Sequence, residues 1–302
     1  MNRKKDDMNN ILEIRSQMLF ELRSFFMKRE YIEVETPLRL REMIPEDHIE
    51  PFSSEDYFLQ SSPEISMKRL LARGYEKIFQ ICKSFRKGER GDLHISEMTM
   101  LEWYQAGKTY IDLMDETESL ILHLCEKFGI EDITRKGKNI SFISNFDKLS
   151  VEDAISKYTD YSYEESLDNF DEIFGIEICP KLGFGKPVFL YNFPASEASL
   201  AKLDEKNPKF AQRFELFIGG VEICNCFSEL INPEEQRKRF EETILFRKNS
   251  GKSSLGLPEQ FLSELVSMPE SSGNALGLDR LIMVLNNKER IDNVLAFIPE
   301  DI

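Results

Sequence analysis

The sequence has no long apolar run and little cysteine. No stretch approaches the run of about eighteen apolar residues that spans a membrane, and the opening MNRKKDDMNN has no apolar signal region. We therefore predict a protein that is neither membrane-embedded nor exported. Its five cysteines, without an export signal, favour reduced thiols and a cytoplasmic location.

Basic residues are also scarce relative to acidic ones. With 39 Lys and Arg against 54 Asp and Glu, the formal net charge is −15. Such a chain has little non-specific attraction for a phosphate backbone, which argues against general nucleic-acid binding. The segment 147–177 alone holds ten Asp or Glu and two Lys. We interpret it either as a solvated helical face or as a docking surface for a basic partner.

Patterns for metal binding and nucleophilic catalysis are sparse as well. Cys224 and Cys226 form a C-x-C pair, but no other Cys or His lies near them in the sequence. Structural zinc is held by a set of Cys and His side chains, so core packing is the simpler interpretation of this pair. No Ser-His-Asp or Cys-His arrangement stands out either.

What the sequence does contain is strands clustered along the chain with helices around them. Apolar spacing predicts helices at 10–29, 61–74, 110–128, 233–249 and 258–267, and a glycine-started helix at 273–287. Strand patterns include YIEVETP, KIFQICKSFRKGE, EMTMLEWYQAG and PVFLYNFP. This arrangement is typical of the α+β class, an antiparallel sheet with helices packed on it.

The stretch ELFIGGVEICNCFSEL carries glutamates at intervals of seven, Glu215, Glu222 and Glu229. It predicts a hairpin turning at 219–220, with Glu215 and Glu222 on one face of the sheet. Two carboxylates placed in this way suit one Mg²⁺ shared with a phosphate. A half-exposed sheet with unrelated surface glutamates is the alternative. Strict alternation places Asn225 and Glu229 on the other face, so a single pocket would require a bulge.

Three stretches follow one another in an order that resembles a known family. They are a helix and strand ending at Pro37, FRKGERGDLHISEMTMLEWY at 85–104, and GNALGLDR at 273–280. With SSPE at 61–64 and the glutamate hairpin, they resemble motifs 1, 2 and 3 of the class II aminoacyl-tRNA synthetases, and TMLEWY is similar to the lysine enzymes. FPASEASLAKL and GNALG resemble more closely the short lysyl-tRNA synthetase paralogues, the elongation factor P lysine ligases.

The resemblance covers roughly residues 11–300 and implies a class II synthetase catalytic fold, an antiparallel β-sheet flanked by helices. It implies a single domain over residues 1–302, with an acidic helical insertion at about 145–185 and no anticodon-binding domain. It also implies a homodimer formed through motif 1, and we expect the region of Phe25 and Phe26 to supply the interface. The missing anticodon domain and the net charge argue together against tRNA as the acceptor.

The implied reaction uses ATP and Mg²⁺ to convert lysine or β-lysine into an aminoacyl-adenylate. A lysine ε-amine of translation elongation factor P then accepts the aminoacyl group. Two alternatives stay open: a truncated synthetase-like enzyme with another acceptor, and a non-catalytic paralogue that binds lysine as a regulator.

The resemblance also implies roles for individual residues. Arg86 corresponds to the motif 2 arginine, which meets a carboxylate and an α-phosphate, and Arg280 to the motif 3 arginine on the terminal phosphate. The implied ATP-binding residues are Arg86, Glu89, His94, Met98, Gly277 and Arg280, and the implied metal ligands are Glu215 and Glu222. The implied amino-acid-binding residues are Glu64, Glu102, Tyr104, Asn225, Glu229 and Ala275, with Glu64 on the near amino group.

The sequence departs from the family pattern at several of these positions. Met98 replaces the phenylalanine that usually stacks on adenine, and Cys226 stands where glycine is expected. Ala275 replaces the glycine of the tRNA enzymes, and its methyl group would disfavour α-lysine in its usual pose.

Overall fold

The computed structural model describes the backbone of residues 5–302 and the side chains of residues 10–302. The strands are β1 (Ile32–Glu33), β2 (Arg39–Leu40), β3 (Phe52–Ser54), β4 (Tyr57–Leu59), β5 (Lys77–Arg90), β6 (Ile95–Ala106), β7 (Asp132–Arg135), β8 (Lys138–Ser141), β9 (Asp147–Ser150), β10 (Val188–Pro194), β11 (Phe210–Ile218), β12 (Val221–Ser228) and β13 (Ser271–Gly277). The helices are α1 (Lys5–Met27), α2 (Glu64–Ala72), α3 (Tyr110–Phe128), α4 (Val151–Tyr158), α5 (Tyr163–Ser166), α6 (Phe170–Ile173), α7 (Pro233–Asn249), α8 (Glu259–Leu265) and α9 (Leu278–Leu285). Among these, no helix is both long and apolar enough to cross a membrane.

The centre of the fold is an eight-stranded sheet in the order β1-β5-β6-β13-β12-β11-β10-β9. The five inner pairs are antiparallel, whereas β1 pairs with β5 and β9 pairs with β10 in parallel. The predicted α+β fold, with a sheet flanked by helices, is confirmed. Its sheet is mixed rather than purely antiparallel because a parallel strand is added at each edge.

Helix α1 packs its aromatic face into the main core of the chain. Phe26 stacks on Phe79 with ring centroids 4.8 Å apart, and Phe25 is buried beside it. The expectation that Phe25 and Phe26 supply a dimer interface is therefore wrong, because the chain's own core covers both rings. Exposed apolar side chains of this region include Phe20, Met27 and Ile32.

The glutamate hairpin contains the bulge that a single pocket requires. Phe217 pairs with Glu222, but Glu215 pairs with Asn225, so β12 has one more residue than β11 between these two pairs. An extra residue reverses the alternation of side chains along the rest of the strand. Asn225 therefore projects from the same face of the sheet as Glu222.

Residues 273–277 form a strand and not the start of a helix, so the predicted helix at 273–287 is wrong over its first turn. Strand β13 lies between β6 and β12 and pairs with both, and α9 begins only at Leu278. A Cβ at Gly273 would come within 2.1 Å of the Tyr104 ring. Glycine at this position lets the tyrosine lie directly against the strand.

The acidic segment starts at the edge of the sheet as β9 and continues through α4, α5 and α6. Its apolar side chains form a second core cluster against β10 and β11, in which Phe174 meets Phe193 at 5.6 Å between ring centroids. Its description as an insertion stays a prediction. So does the single-domain extent of 1–302, whose first four residues lie outside the described residues.

Candidate active site

A cavity of about 200 Å³ lies over the middle of the sheet, where β6, β12 and β13 meet the start of α2. Many of the residues singled out from the sequence line it: Glu64, Arg86, Glu89, His94, Met98, Tyr104, Glu222, Asn225, Ala275, Gly277 and Arg280. Glu102 and Glu229 lie behind this lining, and Glu215 lies beside Asn225 on the neighbouring strand. The structure thus brings these residues together, while their roles stay predictions.

One end of the cavity, which we call the far end, is formed by the carboxylates of Glu64, Glu102 and Glu229. Glu102 accepts hydrogen bonds from the Ser62 hydroxyl at 2.6 Å and the Tyr104 hydroxyl at 3.0 Å. Burial, with the nearby charge of Glu64, raises the pKa of Glu102 to about 8. The two hydroxyl donors favour the ionised form, but they do not outweigh the loss of water.

Lys68 is a residue of this end that the sequence analysis missed. Its side chain is 1% exposed, and its ammonium lies 2.6 Å from a Glu64 oxygen and 2.5 Å from a Glu229 oxygen. Burial acts to lower the pKa of Lys68, but the two carboxylates outweigh it and the pKa is raised. The i, i+4 spacing of Glu64 and Lys68 was visible in the sequence, where it resembles an ordinary solvated helix pair.

Glu229 completes the far end. Its side chain is fully buried, and burial raises its pKa to about 8 although Lys68 opposes the shift. Its Oε1 accepts no hydrogen bond within the described residues. Glu64 and Glu229 share one cation, Lys68, and Glu102 has two hydroxyl donors and no ion pair among the described residues. This end therefore suits a ligand that brings a further positive charge.

The opposite end, which we call the near end, is cationic because Arg86 and Arg280 line it. The Arg86 Nε donates to the Ser61 carbonyl at 3.3 Å, and Arg280 donates to the Leu93 carbonyl and to the Glu222 carboxylate, both at 3.1 Å. Carbonyl contacts hold each guanidinium in place and leave N–H groups free for a ligand, because arginine has several donors. Burial, followed by the charge of Arg280, lowers the pKa of His94.

The two hairpin glutamates each have an arginine. Glu215 lies 2.6 Å from Arg213, which the sequence analysis missed and which also donates to Asn225 at 3.1 Å. Burial raises the pKa of Glu215 to about 7. Burial also acts to raise the pKa of Glu222, but Arg280 and other cations hold it below its usual value.

A further residue missed from the sequence is Glu46, on the loop between β2 and β3. It lines the cavity beside Arg86, and the Ser61 hydroxyl donates to it at 3.4 Å. Burial raises the pKa of Glu46 to about 7, and the charge of Arg86 opposes the shift. No local pattern marks this glutamate, because its loop is held at the cavity by distant residues, among them Arg247 of α7 and Lys87 of β5.

Comparison with known proteins identifies the family. The family described as tRNA synthetases class II (D, K and N) matches residues 1–301. The chain therefore belongs to the class II tRNA synthetases, and it is an ATP-dependent ligase.

Among its relatives, the chain is 35% identical to the elongation factor P--(R)-beta-lysine ligase of Vibrio atlanticus, over 95% of this chain and 94% of the relative. It is 34% identical to the enzyme of that name from Salmonella arizonae, over the same shares. The lysine--tRNA ligase of Coxiella burnetii is 33% identical over 95% of this chain, which covers 64% of that longer protein. The resemblance to the elongation factor P lysine ligases is thereby confirmed.

Proposed function

We propose that this enzyme activates lysine or β-lysine with ATP and transfers the aminoacyl group to a lysine ε-amine of translation elongation factor P. Two relatives that are matched over 94% of their own length are named elongation factor P--(R)-beta-lysine ligase, which supports this assignment.

Our proposal of lysine or β-lysine as the substrate rests on one observation: the far end has more carboxylates than cations among the described residues. Glu64 and Glu229 share Lys68 as their fixed cation, whereas Glu102 is met only by the Ser62 and Tyr104 hydroxyls among the described residues. Glu229 keeps an oxygen without a hydrogen bond in the described structure. A distal ammonium would satisfy that oxygen. An amino acid with an apolar end would leave buried carboxylates unpaired, which costs far more than a lost contact.

The reaction has two balanced steps. The carboxylate of the amino acid attacks the α-phosphorus, so a carboxyl–phosphate bond forms while the bond to pyrophosphate breaks. The acceptor ε-amine then attacks the carbonyl, loses a proton, and forms an amide as AMP leaves. We assign Arg86 to the reacting carboxylate and α-phosphate, and Asn225 to the carboxyl end of the substrate. Arg280 would hold the terminal phosphate, so positioning and charge neutralisation supply most of the rate.

The donor set of the hairpin fits Mg²⁺. Glu215 and Glu222 project from one face, and in the described residues no group of three or more metal-ligating side chains converges. Magnesium is usually bound by one or two carboxylates together with substrate phosphates, so this pair is sufficient. When bound there, the ion would neutralise charge on the leaving pyrophosphate.

The remaining parts of the proposal concern the nucleotide, the assembly and the compartment. Glu89, His94, Met98 and Gly277 would surround the nucleotide, since they line the cavity around Arg280. We place the homodimer contact on the exposed side of α1, which carries Phe20 and Met27. A cytoplasmic location agrees with the five cysteines, all of which are free thiols.

The test is ATP–pyrophosphate exchange with lysine and with β-lysine, followed by transfer to elongation factor P and to tRNA. We expect exchange, transfer to the protein, and no charged tRNA. A Glu222→Gln variant should lose exchange while its melting temperature stays near that of the wild type. Exchange followed by tRNA charging would reject the proposed acceptor, and absence of exchange with both amino acids would favour a non-catalytic lysine-binding protein.

A further inference from the structure

Glu46 differs from every other acidic residue that lines the cavity. The other four each have a cation within ion-pair distance: Glu64 has Lys68, Glu89 has Arg86, Glu222 has Arg280 and Asp279 has Arg15. For Glu46 the described residues offer the Ser61 hydroxyl at 3.4 Å and no cation at such a distance. A carboxylate held at a cavity wall without a cation is costly unless a ligand supplies one.

We propose that Glu46 is a substrate-binding residue, which receives the amino group that lies near the carboxylate of the amino acid. The inference rests on the proposed function and deepens it. Sequence resemblance assigns this amino group to Glu64, but the Lys68 ammonium already lies 2.6 Å from a Glu64 oxygen. The carboxylate of Glu46 lies beside Arg86 but forms no ion pair in the described part of the chain.

The position of Glu46 suits this role because Ser61 joins it to Arg86. The Ser61 carbonyl accepts from Arg86 at 3.3 Å, and the Ser61 hydroxyl donates to Glu46 at 3.4 Å. A substrate carboxylate on Arg86 would therefore have its own amino group, one or two carbons away, on the side of Glu46. The distal ammonium would extend from there toward Glu102 and Glu229.

The loop that carries Glu46 is fixed by a buried arginine. Arg247 of α7 is 1% exposed and donates to the carbonyls of Glu46 at 2.6 Å and Ile49 at 2.8 Å, and to the Glu50 carboxylate at 2.8 Å. Several charge-assisted hydrogen bonds thus hold this short loop against the cavity. Glu46 is placed by the fold, and ordering it costs the ligand little.

The test compares three substrates in the exchange reaction: lysine, β-lysine and ε-aminocaproate, which keeps the distal ammonium and the carboxylate but lacks the near amino group. The measured quantity is the ratio of kcat/KM for the better diamino acid to kcat/KM for ε-aminocaproate. In Glu46→Gln we expect this ratio to fall roughly tenfold or more, since a hydrogen bond to a charged group is lost for the diamino acid alone.

Asp47→Asn is the matched control, because it makes the same chemical change on the neighbouring exposed residue and should leave the ratio unchanged. A purely structural role of Glu46 would lower exchange with all three substrates in proportion, and that result would overturn the inference. Should Glu46→Gln fail to fold, Glu46→Asp is measured in the same way and should lower the ratio by a smaller factor. Wild-type enzyme that activates neither diamino acid would instead reject the proposed function itself.

Discussion

The two ends of the cavity handle charge differently. At the far end, Glu102 and Glu229 are fully buried, and the buried Lys68 pairs with Glu229 and Glu64. At the near end, the side chains of Arg86 and Arg280 are 24% and 19% exposed. A single ammonium can be recognised only where water is excluded and partners are fixed. A triphosphate brings several charges of its own and can be held by partly solvated arginines.

The difference has an energetic consequence. Charges at the far end interact in a medium where loss of water is expensive, so each unpaired group is costly to the fold and to binding. Charges at the near end are screened by solvent, so they contribute little to stability until a ligand arrives. Variants at the far end should therefore disturb folding and amino-acid binding together, whereas variants at the near end should disturb nucleotide binding and chemistry with little loss of stability.

The largest effect is expected at the near end, from Arg280→Gln. Pyrophosphate exchange should fall by roughly a thousandfold, because a fixed positive group facing the phosphates is lost in the transition state. The melting temperature and the KM for lysine should change little. Arg237→Gln, an exposed arginine paired with Glu259 away from the cavity, is the control and should keep its activity. A large loss of stability in Arg280→Gln would remove the distinction between the two ends.

Lys68→Met should show the opposite behaviour. Methionine has a similar volume, but the change leaves Glu64 and Glu229 without their shared cation, and breaking a buried ion pair in this way costs about 3 kcal/mol or more. Urea unfolding should record that loss of stability. Lysine should restore part of it, because a ligand ammonium can meet the same carboxylates. A loss below about 1 kcal/mol, as for a surface pair, would contradict the buried character of this end.

The next largest effect is a pH dependence of the KM for lysine that the KM for ATP should not share. Burial raises the pKa of both Glu102 and Glu229 to about 8, so in the free enzyme a fraction of these groups carries protons below that pH. Binding of a substrate ammonium must displace these protons. The KM for lysine should therefore fall as pH rises toward 8, by up to about tenfold per pH unit for each proton that is released. The KM for ATP should vary much less. Steady-state exchange across this range tests the difference.

Glu102 and Glu229 also make the free energy of unfolding depend on pH, and the direction of that dependence follows from their raised pKa. Their pKa is higher in the folded than in the unfolded chain, so between about pH 4.5 and 8 the folded chain binds more protons. The contribution of these groups to the free energy of unfolding should therefore fall as pH rises through that window. In Glu229→Gln, urea unfolding should show a weaker fall than in the wild type, and an unchanged slope would contradict the raised pKa.

The sequence predicted the parts of this arrangement that rest on local patterns. Helix 110–128 was predicted with its observed bounds from apolar spacing, and the structure adds Thr109 at its start and Gly129 at its end as caps. Arg86, Arg280 and the hairpin glutamates were singled out through ordered motifs, and the structure places them around one cavity. Residues 273–277 were assigned to a helix because the apolar spacing of α9 extends back over them, and pairing with two distant strands decides their conformation.

The residues that were missed depend on partners far away in the chain. From the sequence alone, Lys68 resembles a surface lysine, because its contact with Glu229, which follows β12, is visible only in the structure. Glu46 lies in a loop whose position depends on Arg247, about two hundred residues later. Local spacing carries no information on such contacts, so charge pairing across elements was not predictable from this single sequence.

The smallest expected effect concerns the adenine contact that we propose for Met98 at the near end. Met98 lines the cavity where the family usually has phenylalanine, and it is only half-buried. In Met98→Phe the KM for ATP should fall by about two- to tenfold, because an aromatic ring gains roughly 0.5–1.5 kcal/mol by stacking. Met98→Leu is the control, because leucine is apolar but cannot stack as an aromatic ring, and it should not lower the KM for ATP. The KM for lysine should stay constant in both variants. If it changed together with the KM for ATP, the two ends would be coupled and the comparison between them would fail.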